Sequence, residues 1–133
     1  MAHWLFTIFV FLHGAVHMVY PSIAQGWIPA PESGDTTGQS WLLARPLGEA
    51  AARNIGAFLF IATTLLFVVA AVGLALRQPW SVSWLAASAI VSSLALVALW
   101  DGKFAALAEK GAIGLAINIA LLIGLYVFRY PAF

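Results

Sequence analysis

The chain of 133 residues is 63% hydrophobic and only 8% charged, with a formal net charge of +1. Soluble domains carry about 25% charged residues, so this composition cannot cover a water-facing surface and predicts a protein of the lipid bilayer. The near-neutral charge gives no indication of nucleic-acid binding, and the absence of cysteine excludes disulfides and thiolate chemistry.

Four apolar runs follow one another, each close to the roughly 20 residues that cross a bilayer core. The second helix is predicted to begin at Pro46, and its apolar run is 55–76. Unpaired backbone groups are not tolerated in lipid, so the runs are predicted to be helices, at residues 3–20, 46–76, 80–100 and 111–130. The first ends at Pro21 and lacks the basic start of a cleaved signal peptide. The predicted fold class is therefore all-α: a single transmembrane four-helix bundle over residues 1–133.

The connections between these helices differ in length. Arg77–Pro79 is a tight turn, which makes predicted helices 2 and 3 antiparallel neighbours. The first loop is long, and its turn-forming centre, 29–40, is typical of a lid or a contact surface. The third connection, Asp101–Lys110, is predicted to be a short interfacial helix capped by its aspartate.

The side of the bundle that carries the first loop is also the richer in basic residues. Counting Lys and Arg alone therefore places this side in the cytoplasm. The polar, Gly- and Pro-rich first loop is instead typical of an exported segment, and on that ground we predict cytoplasmic termini.

Intramembrane polar residues are concentrated in the half of the bundle next to the first loop. At about 100° per residue, His13, His17 and Tyr20 share one face of helix 1, and such groups face the bundle interior. Asn54 and Asn118 lie at a similar depth. The pattern predicts a half-cavity lined by helices 1, 2 and 4 and opening toward 27–40. Its candidate ligand-binding residues are His13, His17, Tyr20, Arg53, Asn54 and Asn118, with Arg53 placed for an anionic or carbonyl-bearing ligand.

Structural roles also account for several of these residues. The histidines can hydrogen-bond across to Asn54, Asn118 or backbone groups and hold the helices in register. Two stripes of small residues predict close helix packing, Ser81-Ser88-Ser92 on helix 3 and Gly111-Gly114-Asn118 on helix 4.

Metal and haem binding are limited by the geometry of the histidine pair. Histidines four apart can hold one ion, but the glutamate of HExxH is missing between them. A third ligand would have to come from Glu32, Asp35, Glu49 or Asp101. His13 and His17 share one helix face and cannot bind opposite faces of a porphyrin, which leaves a single-histidine haem or one shared by two protomers. Metal and cofactor stay open, with a quinone or lipid-like ligand as candidates.

The stretches FLHGAVHMVYP and LWDGKF, followed by Asn118, resemble a large group of small bacterial four-helix integral membrane proteins, most of them uncharacterised. The matching positions are His13-Gly14, His17, Trp100-Asp101, Lys103 and Asn118. The chain departs from the pattern in its long first loop and in 105–110. It more loosely resembles the DoxX-like proteins, some of which are linked to quinone chemistry. The resemblance implies a bacterial inner-membrane location.

The leading hypothesis for function is binding of a small amphiphilic or hydrophobic ligand, such as a lipid or quinone, in the half-cavity. One alternative is a structural or accessory subunit that docks a partner, or a homo-oligomer, through the small-residue faces. Another is an intramembrane enzyme or haem-binding protein that uses His13 or His17. No catalytic residue is assigned, because an acid-base group needs a positioned partner.

Overall fold

The computed structural model describes residues 1–32 and 37–131, and this part of the chain contains helices and turns but no strand. The all-α prediction is confirmed. The helices are α1 (Ala2–Val16), α2 (Val19–Ala24), α3 (Ala44–Leu47), α4 (Glu49–Ala75), α5 (Ser81–Leu99) and α6 (Ala112–Tyr126), with a 3₁₀ turn at Thr37–Gln39. Three spans are long and apolar enough to cross a membrane, Ala2–Ala24, α4 and α5, and α6 is a shorter apolar helix of 15 residues.

The sequence predicts that the first span ends at Pro21, but in the structure the span continues to Ala24. A turn at His17–Met18 separates α1 from α2, and its two amides bond to carbonyls three residues back at 3.1 and 3.0 Å. Proline lacks an N–H and clashes with the carbonyl four residues earlier, so it is tolerated in the first turn of a helix. Pro21 is the third residue of α2, which explains why the helix is interrupted just before it.

The start of the second long helix also differs from the prediction. Pro46 belongs to the four-residue α3, and α4 begins at Glu49. Gly48 separates them with a φ of +87°, a conformation that glycine adopts without steric cost. The backbone therefore changes direction at Gly48, immediately before α4 begins.

The predicted interfacial helix at Asp101–Lys110 is wrong. Residues 105–111 form successive turns, and Gly102 and Ala106 have positive φ angles of 77° and 52°. A right-handed helix cannot continue through such residues. The Asp101 side chain accepts a hydrogen bond from the Lys103 amide at 3.0 Å and closes a local turn instead.

The four long elements pack in the order α1–α4–α5–α6, and α4 and α5 are antiparallel neighbours as predicted. Among the described residues, α1 and α6 approach each other only marginally. The α1–α4 contact is close at Gly14, where a Cβ atom would collide with the Cβ of Phe67. The first and last long helices are therefore separated along one side of the molecule.

Two apolar clusters lie at different depths of this packing. One contains Phe67, Leu74 and Leu85, and the other, nearer the first loop, contains Phe60, Leu96 and Leu99. A layer of buried polar side chains lies between them: His13, His17, Ser92 and Asn118. The sequence predicts that the half of the bundle next to the first loop is the polar one. In the structure the polar layer lies deeper, because the Phe60 cluster separates it from the first loop.

The first loop folds back over the C-terminal end of α5. The hydroxyl of Ser40 donates to the carbonyl of Ala98 at 2.6 Å, and the indole of Trp41 donates to the carbonyl of Val97 at 2.7 Å. The Trp41 amide donates to the carbonyl of Trp100 at 2.8 Å. The last carbonyls of a helix have no partner within it, so these bonds satisfy groups that would otherwise need water.

Candidate ligand-binding groove

A hydrogen-bond network joins α1, α5 and α6 in the polar layer. Nε2 of His13 donates to Oδ1 of Asn118 at 2.8 Å, and Nδ2 of Asn118 donates to Oγ of Ser92 at 2.7 Å. The same Oγ lies 2.6 Å from Nε2 of His17, and Nδ1 of His17 donates to the carbonyl of His13 at 3.0 Å. Four side chains, from α1, the turn that follows it, α5 and α6, thus form one circuit that closes through the His13 carbonyl.

Both histidines face other helices, as the sequence predicts. Both residues are almost completely buried, and the exposed side of α1 carries aliphatic residues that include Ile8 and Leu12. The ring of His17 contacts Phe60 and Phe67, and the ring of His13 meets Phe67 edge-on at 5.0 Å between centroids. Aromatic packing on α4 therefore fixes where the two imidazoles sit.

The glycine after His13 has a packing role. Gly14 is buried where the backbone of α1 lies close to Phe67 of α4, and its carbonyl accepts a hydrogen bond from the hydroxyl of Thr64 at 3.0 Å. A side chain at this position would push α1 away from Phe67. The close contact lets the rings of His13 and His17 pack against Phe67 of α4 while their Nε2 atoms bond to α6 and α5.

A groove runs between α1 and α6, where these helices separate. It contains one cavity of about 420 Å³ beside the histidines and another of about 250 Å³ toward the N-terminal end of α1. Phe9 and Ile117 line both cavities. The larger cavity is also lined by Leu12, His13, Val16, His17, Tyr20 and Gly114. Its size falls in the range of small-molecule sites, and no charged side chain lines it.

Two polar atoms of residues that line the groove make no hydrogen bond to the described part of the chain. One is Nδ1 of His13, whose other ring nitrogen bonds Asn118. The other is the hydroxyl of Tyr20, whose ring stacks on Phe60 at 4.4 Å between centroids. Gly111 leaves room for this hydroxyl, since a Cβ there would lie 2.9 Å from it. Both residues line the groove, so these two polar atoms are placed to contact a ligand there.

The predicted candidate residues separate into two groups. His13, His17, Tyr20 and Asn118 come together at the groove. Asn54 is exposed on α4 and does not reach the histidines. Arg53 lies below the first loop, where a Cβ on Gly38 would be 3.0 Å from its Nη2. The prediction that helix 2 lines the cavity and that it opens toward 27–40 is wrong, because no residue of α4 or of the described first loop lines it.

Ser92 is the network member whose hydrogen-bonding role the sequence pattern does not reveal. It occurs in the predicted packing stripe, and Ser81, Ser88 and Ser92 are all fully buried, as expected for such a stripe. Depth is the signal that singles it out, since Ser92 is seven residues before the end of α5 and Asn118 is six residues after the start of α6. At about 1.5 Å per residue, the two lie at nearly equal heights.

The Trp-Asp-x-Lys stretch after α5 forms a compact junction. The indole of Trp100 donates to the carbonyl of Lys103 at 3.0 Å, and Nζ of Lys110 lies 2.8 Å from Oδ2 of Asp101. Burial opposes ionisation of Asp101, but hydrogen bonds from Lys110 and Lys103 and their positive charges outweigh it and lower the pKa of this carboxyl. The junction ends directly before Gly111, the N-cap residue of α6.

Within residues 1–32 and 37–131, no group of three or more histidine and acidic side chains could hold a metal ion. Of the proposed third ligands, Asp35 lies outside the described residues. The histidine nitrogens that bond Asn118, Ser92 and the His13 carbonyl are already engaged. The pair therefore acts as part of a hydrogen-bond network in this structure.

No family model, curated protein or solved structure matches the chain. The resemblance to small four-helix membrane proteins stays a prediction carried by His13-Gly14, Trp100-Asp101 and Lys103. Inference about function therefore depends on the geometry of the groove.

Proposed function

We propose that the chain is a transmembrane four-helix bundle that binds a small amphiphilic or hydrophobic ligand, such as a lipid or quinone, in the groove between α1 and α6. The observation that supports this most is the pairing of an apolar groove with two unpartnered polar atoms, on His13 and Tyr20. A ligand with an apolar body and a small polar head complements both features.

The bilayer is the proposed solvent for this bundle. The three longer spans contain 23, 27 and 19 residues, and their outer surfaces expose large aliphatic side chains. A helix of 15 residues spans about 22 Å, so α6 needs its flanking turns to cross a core of about 30 Å. Four crossings place both termini on one side, which we propose to be the cytoplasmic side of a bacterial inner membrane.

Labelling tests this topology directly, because the natural chain contains no cysteine. Single cysteines at Gln39 and at Gln78, both exposed, report on the two sides. A membrane-impermeant thiol reagent added to intact cells should label Gln39→Cys and leave Gln78→Cys unlabelled. The reverse pattern contradicts the proposed orientation.

The structure gives less support to the alternative functions. The serine stripe that suggested docking to a partner is buried inside the chain, so that face is not free for an accessory-subunit contact. His17 uses both ring nitrogens, and neither intramembrane histidine hydrogen-bonds a carboxylate among the described residues. An acid-base catalyst normally has such an orienting partner.

Two isoleucines on α6 provide a matched test of ligand binding. Ile117 lines both cavities, whereas Ile119 is 50% exposed on the outer surface. Native mass spectrometry of the purified protein, with extraction of co-purified lipids, should show a bound amphiphile in the wild type. Ile117→Trp should fill the groove and reduce occupancy by about tenfold, equivalent to about 1.4 kcal/mol. Ile119→Trp should leave it unchanged.

Equal occupancy in the two variants, or no bound species in the wild type under mild extraction, contradicts the proposal. Thermal unfolding of both variants checks that each retains its fold. A similar unfolding temperature in both ensures that a difference in occupancy reports on the groove.

A further inference from the structure

The hydrogen-bond circuit determines which nitrogen of His17 carries a proton. Nδ1 of His17 lies 3.0 Å from the carbonyl of His13, and a carbonyl can only accept. The proton of an uncharged His17 is therefore on Nδ1, and its Nε2 has a lone pair. The second partner, Ser92, must then donate its hydroxyl proton to that Nε2 over 2.6 Å.

The direction of the remaining bonds follows from that donation. With its single proton used on His17, Oγ of Ser92 can only accept from Asn118, so the NH₂ group of the amide faces Ser92. Oδ1 of Asn118 then faces His13 and accepts from Nε2 at 2.8 Å. The reversed amide would require a second proton on His17, a buried charge without a bonded carboxylate, which is costly in lipid.

His13 consequently has the opposite tautomer from His17. Its proton is on Nε2, and Nδ1 is an unprotonated acceptor with no partner in the described part of the chain. The His13 side chain is 6% exposed and lines the larger cavity. An unpartnered acceptor thus lies beside an apolar groove, and only a hydrogen-bond donor can satisfy it.

The uncharged lining of the larger cavity limits which head groups a ligand can have. No Lys, Arg, Asp or Glu lines the larger cavity, so neither an anionic nor a cationic head group would find a counter-charge there. The Tyr20 hydroxyl supplies a second polar contact that can donate or accept. From the histidine end, the smaller cavity continues the groove with apolar side chains such as Phe6 and Leu121.

We infer that the ligand is a neutral amphiphile whose hydroxyl group donates a hydrogen bond to Nδ1 of His13. Its apolar body extends along α1 toward Phe6. This inference rests on the proposed function and specifies the class of head group. A hydroxyl on an aromatic ring and one on an alkyl chain have the same donor chemistry. Carboxylate, phosphate and ether head groups lack either the neutrality or the donor that the groove requires.

Nitrogen-15 magnetic resonance of histidine-labelled protein in liposomes tests the first step without a substitution. The two neutral tautomers give distinct ring-nitrogen signals, so His13 and His17 should show protons on Nε2 and Nδ1, respectively. The same tautomer in both residues overturns the inference. Addition of para-nonylphenol or dodecanol should shift the Nδ1 signal of His13, and the response of each separates a ring hydroxyl from a chain hydroxyl as the preferred donor.

The methyl ethers of these two probes are the matched controls, because they keep the apolar body and lack only the donor. Native mass spectrometry should show at least about threefold more hydroxyl probe than ether retained by the wild type, consistent with one intramembrane hydrogen bond. Para-nonylbenzoate should be retained less than the phenol. Tyr20→Phe should reduce retention of the preferred hydroxyl probe while the tautomers stay unchanged.

Failure of this inference differs from failure of the proposed function. If ether and hydroxyl probes are retained equally in the wild type and both are lost in Ile117→Trp, the groove binds amphiphiles but the donor requirement is wrong. Stronger retention of the benzoate likewise overturns the donor requirement. If no probe is retained above the level of Ile117→Trp, the proposed binding function itself is wrong.

Discussion

The first long helix has two very different neighbours. Against α4 it is packed closely enough that Gly14 has no room for a side chain, and the contact is mostly apolar. Toward α6 it leaves a groove, and the hydrogen bond from His13 to Asn118 is the direct polar link between the two helices among the described residues. One side of α1 is thus fixed by packing, and the other is held at a distance by a polar contact, which leaves space for a ligand.

Adding a methyl group at the close α1–α4 contact should produce the largest change in stability. Gly14→Ala places a Cβ in collision with Phe67 and should lower the free energy of unfolding by about 1–3 kcal/mol. Gly124→Ala is the matched control on α6, where nothing lies within 4 Å of the added Cβ. Alanine favours a helix over glycine, so the control should gain up to about 1 kcal/mol.

Thermal unfolding in detergent checks this pair of variants. A stability for Gly14→Ala equal to that of Gly124→Ala would show that the α1–α4 contact can expand without cost. The contrast between a closed and an open side of α1 would then be lost.

Cutting the polar link should have a smaller effect, confined to the open side. Asn118→Leu leaves the Nε2–H of His13 without an acceptor and removes one donor to Oγ of Ser92, which keeps its bond to His17. The loss should cost about 1–2 kcal/mol. Asn54→Leu replaces the same residue type on the exposed surface of α4 and should change stability by less than about 0.5 kcal/mol. Chemical denaturation measures both, and equal effects would mean that the network contributes nothing to stability.

This contrast between two asparagines also shows what the sequence can and cannot predict. The histidine face of α1 follows from residue spacing because its opposite face, which includes Ile8 and Phe11, carries no strongly polar side chain. Asn118 follows from being the single strongly polar side chain between Gly111 and Leu125. Helix α4 is apolar on all sides over most of its length, so periodicity does not reveal which face is buried. Phe60 and Phe67 turn inward, and Asn54 is thereby carried outward.

Helix boundaries were predictable to the extent that composition determines them. The apolar spans are a property of many residues together, and the structure contains them. The errors occur where a single residue determines the local backbone conformation. The examples are Pro21 in the first turn of α2, Gly48 before α4, and Ala106 with its positive φ. The partnership of Ser92 with Asn118 depends on how α5 and α6 rotate relative to each other, which single-helix patterns do not specify.

A third prediction examines the polar contact within the closed side. The hydroxyl of Thr64 lies 3.0 Å from the carbonyl of Gly14 on α1 and 3.1 Å from that of Phe60 on its own helix, so one proton serves both acceptors. In the described part of the chain, Thr63 donates only within its own helix, to Leu59. Thr64→Val removes the bond between helices with little change in shape and should cost about 0.5–1 kcal/mol. Thr63→Val should cost less than half as much. Similar losses in thermal stability would show that packing alone holds α1 against α4.

The smallest effect is expected outside both contacts, at the junction that precedes α6. Lys110 pairs with Asp101 and immediately precedes Gly111, so this pair helps to set where α6 starts and how wide the groove is at its loop end. Asp101→Asn should lower stability at neutral pH by less than about 1 kcal/mol. Glu109→Gln, on an exposed acid of the same connection, is the control and should have no effect.

The pH dependence of the Asp101 effect gives it a distinct signature. The pKa of Asp101 is lower in the folded chain than its ordinary value of 3.8, so its ionised form stabilises the fold. That contribution is fully present well above pH 3.8 and is lost as the pH falls through the folded-state value. Unfolding measured from neutral pH downward should show the wild type and Asp101→Asn converging in acid, while Glu109→Gln follows the wild type throughout. A gap between wild type and Asp101→Asn that stays constant with pH would mean that the aspartate stabilises the junction through its turn geometry and not through its charge.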